Sequence, residues 1–322
     1  HAVRVAYLCT GIAHVARLTD DQDLLAACHR FWKNIVQKRM YVTGAIGSTN
    51  LGEAFTYDYD LPNDTMYGET CASVGMAFFA KEMREIEPKG EYGDVLEKEI
   101  FNGAIAGMSL DGKQFYYVNP LEADPIISKY NPSRAHVLTH RADWFGCACC
   151  PSNIARLIAS IDQYIYYLQD DTIISDQFIA NEAEFSNEIK VVQSNNYPWS
   201  GNIEYKINNP QNISFKFGIR IPSWTRGSFT IKINGQKKEI SPIDGILYLD
   251  LQSSEVSIEL DLDMKVRLVQ ANQKVRYDFG KVSVQRGPIT YCTESADNKA
   301  NLWEYQLKTD GNLSTNFDAD LL

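Results

Sequence analysis

Apolar residues recur at three- and four-residue steps from the start of the chain. Val5, Leu8, Ile12 and Val15 form one series within 2–16, and Leu24, Cys28, Phe31 and Ile35 form a second behind the acidic pair Asp20 and Asp21. This is the period of α-helices with one buried face, and acidic residues suit the positive end of a helix. The spacing therefore predicts two helices with a short connection. A third is predicted from about Cys71 through Val74, Phe78 and Phe79 to Met83, and a fourth from about Asp94 through Ile100 to Met108. A fifth is predicted from Pro151, whose missing N–H costs nothing in a first turn, with Ile154, Leu157, Ile158 and Ile161 as its buried stripe.

After about Tyr167 the period drops to two. Apolar and polar residues alternate over 203–207, 213–217, 229–233 and 256–260, as in half-buried strands. Asn234-Gly235 follows the third of these as a hairpin turn, and no helical stretch separates the strands, so an antiparallel β-sandwich is expected. Residues 265–294, with Val282, Val284 and Ile289 to Tyr291, read as a return strand or the opening of another β domain. The chain is thus a multidomain α + β protein. Two long polar loops, 44–66 and 118–145, exceed what a compact helical unit needs; such loops carry function or pack against a neighbouring domain, and length alone does not separate the two.

Length and charge narrow the partners. The 322 residues suffice for two or three folding units, and the net charge of −10 repels phosphate backbones, so nucleic acid is not an expected partner. No apolar run reaches the roughly 18–20 residues of a membrane span. The helical pattern is already running at His1 with no leader before it, which reads as an internal segment without its N-terminal targeting region. Seven cysteines, three of them in Cys147-Ala148-Cys149-Cys150, make poor arithmetic for a secreted disulfide framework; they point to metal binding or catalysis in a reducing compartment, with the cytoplasm favoured.

Two groups of residues invite chemistry. Glu69 and Cys71, in Tyr67-Gly68-Glu69-Thr70-Cys71, together with Cys149 and Cys150 would supply one carboxylate and three thiolates, a donor set suited to tetrahedral zinc. Side chains at i and i+2 diverge on a helix, so Glu69 and Cys71 can share a metal only where the segment is non-helical or just entering its helix. Cys149 and Cys150, before Pro151, fall at a helix mouth whose free N–H groups favour a thiolate. The alternative is that these cysteines simply fill the core. Glu53 lies on the glycine-rich loop 43–55, which lacks the Lys-Ser/Thr of a phosphate-cradling loop. It could serve as a general acid if Phe55 and the like charges of Asp58, Asp60 and Asp64 raise its pKa; equally, it could be a solvated charge among turn-forming aspartates. Tyr116, Tyr117, Trp144 and Phe145 could line a sugar cleft or a core. His136 and His140, four apart in a loop, are not expected to form a helical metal pair.

At these residues the chain resembles glycoside hydrolase family 127, the β-L-arabinofuranosidases. The likeness rests on Tyr41 to Gly44, Ile46 to Thr49, Gly52 to Phe55, Tyr59 to Asn63, Glu69 to Ser73, and Cys149-Cys150-Pro151 with Asn153. Ala45 and Ser152 stand where relatives often carry Gly and Pro. The resemblance implies the later helices of an (α/α)6 catalytic barrel over 1–165, a β-sandwich over 166–267 and the start of a second over 268–322. It implies zinc bound by Glu69, Cys71, Cys149 and Cys150, with Cys149 as nucleophile, Glu53 as general acid/base, and His1 and Tyr117 as sugar contacts. The implied reaction is retaining hydrolysis of a β-L-arabinofuranoside, the partner being an arabinofuranose-containing oligosaccharide or glycoconjugate. Half a barrel would expose a broad apolar face, so this segment alone is expected to be inactive, and unstable or associated, for example as a homodimer. Two rival readings rank below this one: a non-catalytic carbohydrate-binding module with a structural zinc, and a thiol redox protein using Cys147, Cys149 and Cys150.

Overall fold

In a computed structural model of the protein the described residues are 1–299, 301–308, 310–311 and 313–318. Helices α1 (Ala2–Thr19) and α2 (Gln22–Lys38) form the expected hairpin. Asp20 ends α1 in a left-handed conformation, and the Asp21 carboxylate caps α2 by accepting from the N–H groups of Asp23 and Leu24. The period on α1 is the predicted one, but the buried face is not. Ala2, Ala6, Cys9, Ala13 and Ala16 point inward, whereas Leu8 is 61% and Val15 46% exposed. The cause is close packing against α3 (Thr70–Ile86), where a Cβ on Gly75 would lie 2.9 Å from Ala6 Cβ; only small residues fit between these helices. On α2, Trp32 rather than Phe31 enters the core, edge-on to Phe79 and Tyr92. Leu8, Val15, Leu18 and Phe31 remain as exposed apolar side chains on this hairpin.

Helix α4 (Gly90–Lys98) begins four residues before Asp94 and passes into a π-helical stretch over Glu99–Ala104 and a 3₁₀ turn over Ile105–Gly107. Within the second long loop, Asp124 caps the short α5 (Pro125–Tyr130). Helix α6 (Cys149–Ala159) starts two residues ahead of Pro151, and α7 (Asp162–Ile165) leads into the sheets. Among the described residues no helix is long and apolar enough to cross a membrane.

Strands β1 (Tyr166–Gln169), β2 (Thr172–Ser175), β3 (Asn181–Glu184), β4 (Lys190–Asn195), β5 (Asn202–Asn208), β6 (Phe215–Arg220), β7 (Phe229–Ile233), β8 (Gln236–Lys238), β9 (Ile246–Leu251) and β10 (Glu255–Leu262) make two sheets. The orders are β1-β2-β6-β9 and β3-β4-β5-β10-β7-β8. Their inner faces share one core: Ile173, Phe217 and Leu249 from the first meet Val191, Tyr205 and Ile258 from the second. Pairing is antiparallel except between β2 and β6, which run parallel, a correction to the all-antiparallel expectation. Parallel neighbours need a long crossover, and the chain supplies it by building β3, β4 and β5 of the other sheet between them. A third small sheet, β11 (Val266–Val269), β12 (Ser283–Arg286) and β13 (Ile289–Thr290), contacts the helices where Asn102 Nδ2 donates to Pro288 O and Thr290 N–H to Asn102 Oδ1. The second sandwich expected over 268–322 is represented among the described residues by this sheet, and 319–322 lie outside them.

The four-stranded sheet lies between the helices and the six-stranded sheet, and a buried charge network joins it to the helices. Arg84 of α3 donates to Asp176, Tyr164 O and Gln163 O. Arg220 of β6 donates to Asp176 O at 2.7 Å, Asp94 Oδ1 at 2.8 Å and Glu97 Oε1 at 2.6 Å. Both guanidinium groups are fully buried. Glu97 also accepts from Trp224 Nε1 and Tyr197 OH. Gly93 of α4 has no room for a side chain because a Cβ there would run into Asp176 and Arg220.

Candidate metal centre and acid site

The metal candidates converge where two helices begin. Glu69 precedes α3 in an extended conformation (φ −62°, ψ 135°), so its carboxylate turns to the side of Cys71, as an i, i+2 pair entering a helix must. Thr70 N–H donates to Tyr117 O and Glu69 bridges to Val118, which anchors this entrance to the second long loop. Cys149 and Cys150 open α6 alongside. One donor atom from each of Glu69, Cys71, Cys149 and Cys150 lies within 4.8 Å of the others. Three of the six separations are 3.5 Å for Cys71 Sγ to Cys150 Sγ, 3.8 Å for Cys149 Sγ to Cys150 Sγ and 3.5 Å for Cys149 Sγ to Glu69 Oε1. Glu69 Oε2 is buried without a hydrogen-bond partner. Asn153 Nδ2 donates to Cys71 Sγ at 3.1 Å, and its Oδ1 is held by Tyr7 OH and by Arg156.

Four acidic groups this close cannot all ionise in a buried pocket without a cation. Burial, reinforced by negative charge on Cys71, raises the Glu69 carboxyl to about 8. Burial also raises the Cys149 thiol to about 12, and its contact with Cys71 pushes Cys150 up further still. Cys71 alone goes down, to about 6, because it collects hydrogen bonds from Cys150 and Asn153. Burial thus opposes the pull of the helix mouth on the Cys149 thiol. The cluster is built to trade protons for a positive charge, and these residues could hold a metal ion. A divalent cation taken up at pH 7 is expected to release about three protons, from Glu69, Cys149 and Cys150, Cys71 having already lost its own. Affinity then falls as pH falls. Calorimetry in buffers of differing ionisation enthalpy counts these protons, and release of fewer than one would contradict this donor set.

Glu53 sits at the tip of a tight turn. Thr49 and Ala54 exchange both backbone hydrogen bonds, and Gly52 and Glu53 are left-handed at φ 68° and 52°. A left-handed conformation is uncommon for a glutamate, and such strain is concentrated at functional sites. Each carboxylate oxygen is held: Tyr67 OH donates to Oε1 at 3.1 Å, and His1 Nε2 lies 2.7 Å from Oε2. Two of the three neighbouring aspartates are paired with cations. Asp58 is neutralised by Lys38 and Arg39, whose hydrogen bonds hold its carboxyl at about 2, and Asp64 pairs with Arg134.

Tyr67 and Tyr117 tie the acid to the cysteines. Their rings pack edge to face at 6.2 Å; Tyr67 holds Glu53, while Tyr117 OH lies 3.2 Å from Cys149 Sγ. Phe145 packs against Tyr117. Tyr116 instead lies under Arg141, and Trp144 is 69% exposed, so these two of the four aromatics stand apart from the cluster. His136 packs on Tyr67 and bonds Met66 O through Nε2, while His140 bonds Thr139; no histidine pair forms. Tyr67 is the residue that sequence reasoning passed over. Its one signal was its place two residues before Glu69.

Family comparisons agree along the chain. Residues 1–163 match the model of the β-L-arabinofuranosidase GH127 catalytic domain, 172–264 the GH127 middle domain and 266–318 the glycoside hydrolase family 127 C-terminal domain. The whole chain is 58% identical to half of a non-reducing end β-L-arabinofuranosidase from Bifidobacterium longum subsp. longum. It superposes on a crystal structure of a GH127 β-L-arabinofuranosidase from Geobacillus stearothermophilus T6 with a TM-score of 0.96 at 41% identity, covering 100% of this chain and 51% of that one. A second solved GH127 β-arabinofuranosidase gives a TM-score of 0.87 at 38% identity, covering 94% of this chain and 49% of the other. The chain thus spans about half the length of these relatives. On its sequence, its fold and its three consecutive domain matches, the chain belongs to glycoside hydrolase family 127.

Proposed function

We propose that the complete protein is a retaining β-L-arabinofuranosidase in which Cys149 is the nucleophile, Glu53 the acid/base, and Glu69, Cys71, Cys149 and Cys150 hold zinc. The observation that carries this reading is the pairing of the four-donor cluster with a held carboxyl group, linked through Tyr67 and Tyr117. Zinc suits the donors. Metal–sulfur bonds of about 2.3 Å and a metal–oxygen bond of about 2.1 Å give a tetrahedron S···S edges of about 3.8 Å and S···O edges of about 3.6 Å. The Cys71–Cys150, Cys149–Cys150 and Cys149–Glu69 separations of 3.5 to 3.8 Å are close to those edges, and the whole donor set lies within 4.8 Å. When bound, the cation supplies the positive charge that keeps the thiols ionised at neutral pH.

Burial separates the roles of the three cysteines. Cys71 and Cys150 are fully enclosed, and Cys149 alone is partly open to a sugar. Cys149 Sγ attacks the anomeric carbon as the bond to the leaving oxygen breaks, and Glu53 gives its proton to that oxygen. Glu53 then takes a proton from water, whose oxygen displaces the sulfur; two inversions give net retention, with a thiolate in place of the usual second carboxylate. His1 and Tyr67 aim the Glu53 carboxyl, and Tyr117 flanks the sulfur where the sugar must sit. An arabinofuranose-terminated glycan is the partner this reading requires. The helices over 1–165 are the later part of an (α/α)6 barrel, the two large sheets are a β-sandwich, and the rest of the barrel covers the exposed Leu8, Val15, Leu18 and Phe31. Glu53→Gln in the complete protein is expected to lower kcat/KM on alkyl β-L-arabinofuranosides by roughly 10²–10⁴-fold while leaving about one zinc per chain. Unchanged kcat/KM would overturn the acid assignment, and a folded protein without zinc would overturn the metal assignment.

A further inference from the structure

The loop that carries Glu53 has only single turns and isolated bridges between the end of α2 and the start of α3, yet an acid/base must be held to within about 0.5 Å. Its floor is a small core of Tyr41, Ala45, Leu61 and Met66, with Tyr59 at the edge. One further side chain completes that core, and it comes from more than 200 residues away. Between β11 and β12, where Val269 pairs with Ser283, residues 270–282 leave the third sheet and lie over the loop. In this largely exposed excursion Val275 is 4% exposed, because it packs into the core of Tyr41, Ala45, Leu61 and Met66. Polar contacts fix it on either side. Asn63 Nδ2 donates to Asp278 Oδ1 at 2.8 Å, Tyr277 OH donates to Asp60 Oδ1 at 3.2 Å, and Lys274 lies over the Tyr59 ring.

We propose that the 270–282 excursion is a strap that positions Glu53, with Val275 as its anchor. This inference rests on the acid/base reading above. Two routes carry the constraint. Val275 packs in one core with Met66, and the adjoining Tyr67 donates to Glu53 Oε1. Asp60, held by Tyr277, accepts at its carbonyl from Thr56 Oγ1; Thr56 bonds Ser48, and Ser48 N–H donates to Ala54 O beside Glu53. Val275 and Tyr277 are positioning residues: they act on the reaction only through where the carboxyl group points. The third sheet thus takes part in catalysis without lining the sugar site.

Leaving-group dependence tests this in the complete, zinc-loaded protein. A methyl arabinofuranoside needs a proton on its leaving oxygen, whereas a p-nitrophenyl arabinofuranoside does not, and kcat/KM reports the steps up to cleavage of that bond. Val275→Ala is expected to lower kcat/KM on the methyl glycoside by roughly 10–100-fold and on the nitrophenyl glycoside by less than about threefold, with zinc content unchanged. Glu53→Gln should show the same selectivity more strongly. Equal losses on both substrates, or no loss on either, would overturn the strap even though Glu53→Gln behaves as expected. If Glu53→Gln itself affects both substrates equally, the acid reading fails and the strap with it. Should Val275→Ala not fold, Tyr277→Phe, which removes one hydroxyl, is expected to show the same selectivity at smaller size, and its absence there overturns the proposal.

Discussion

Replacing Cys149 by Ser in the complete protein is expected to lower kcat/KM on β-L-arabinofuranosides by roughly 10⁴-fold or more, the scale on which removal of a covalent nucleophile acts in other hydrolases. A serine hydroxyl is a far weaker nucleophile and, unlike a thiol, gives up its proton poorly even beside a cation. The side chain is also a proposed zinc ligand, so metal content must be measured on the same preparation. Loss of turnover with about one zinc per chain isolates the nucleophile. Loss of both would leave Cys149 as a ligand, and trapping of a pentosyl group on its peptide in the native protein would then decide between the roles. Near-normal turnover would refute the assignment. Cys71 and Cys150 make a useful contrast: they are fully enclosed, and no pentosyl group should be found on either.

Arg220→Met is expected to have the largest effect on stability among single substitutions away from the cysteines. It leaves the buried Glu97, and with it Asp94, without a guanidinium partner, while Asp176 still pairs with Arg84. Breaking one side of a buried ion network costs about 3–5 kcal/mol, because the charges left behind cannot return to water. At roughly 2 °C per kcal/mol for a unit of this size, the thermal midpoint should fall by roughly 8 °C, measurable by circular dichroism and calorimetry. A change below about 1 kcal/mol would show that water reaches the seam. The network also gives this region its specificity, because Arg84 from a helix and Arg220 from a strand share Asp176. Sliding the helices over the sheet would unpair all of them at once.

The cysteine and glutamate cluster was legible because its signals are local. A glycine before Glu69 and a proline after Cys150 mark two chain segments entering helices, and entering a helix is what lets near neighbours turn their side chains to one side. That the chain folds so as to bring the two entrances, 78 positions apart from Cys71 to Cys149, within bonding distance was not local, and no spacing could state it. The strands β5, β7 and β10 and the first half of β6 were legible because polar positions facing water alternate with buried ones; β2 was not, because all four of its residues are buried, which erases alternation.

By itself, the sequence determined where helices and strands alternate, which donors were available and the family to which they belong, because periodicity, capping and motif chemistry act over a few residues. Tertiary structure alone decided which face of α1 is buried, since the small residues opposite Gly75 allow a closer approach than Leu8 or Val15 would. It also decided that Tyr67 holds Glu53, that Arg84 and Arg220 meet at Asp176, and that Val275 packs beneath the loop that carries Glu53. Each of these depends on packing between segments far apart in the chain, where the energy comes from surfaces that meet only after the elements have formed.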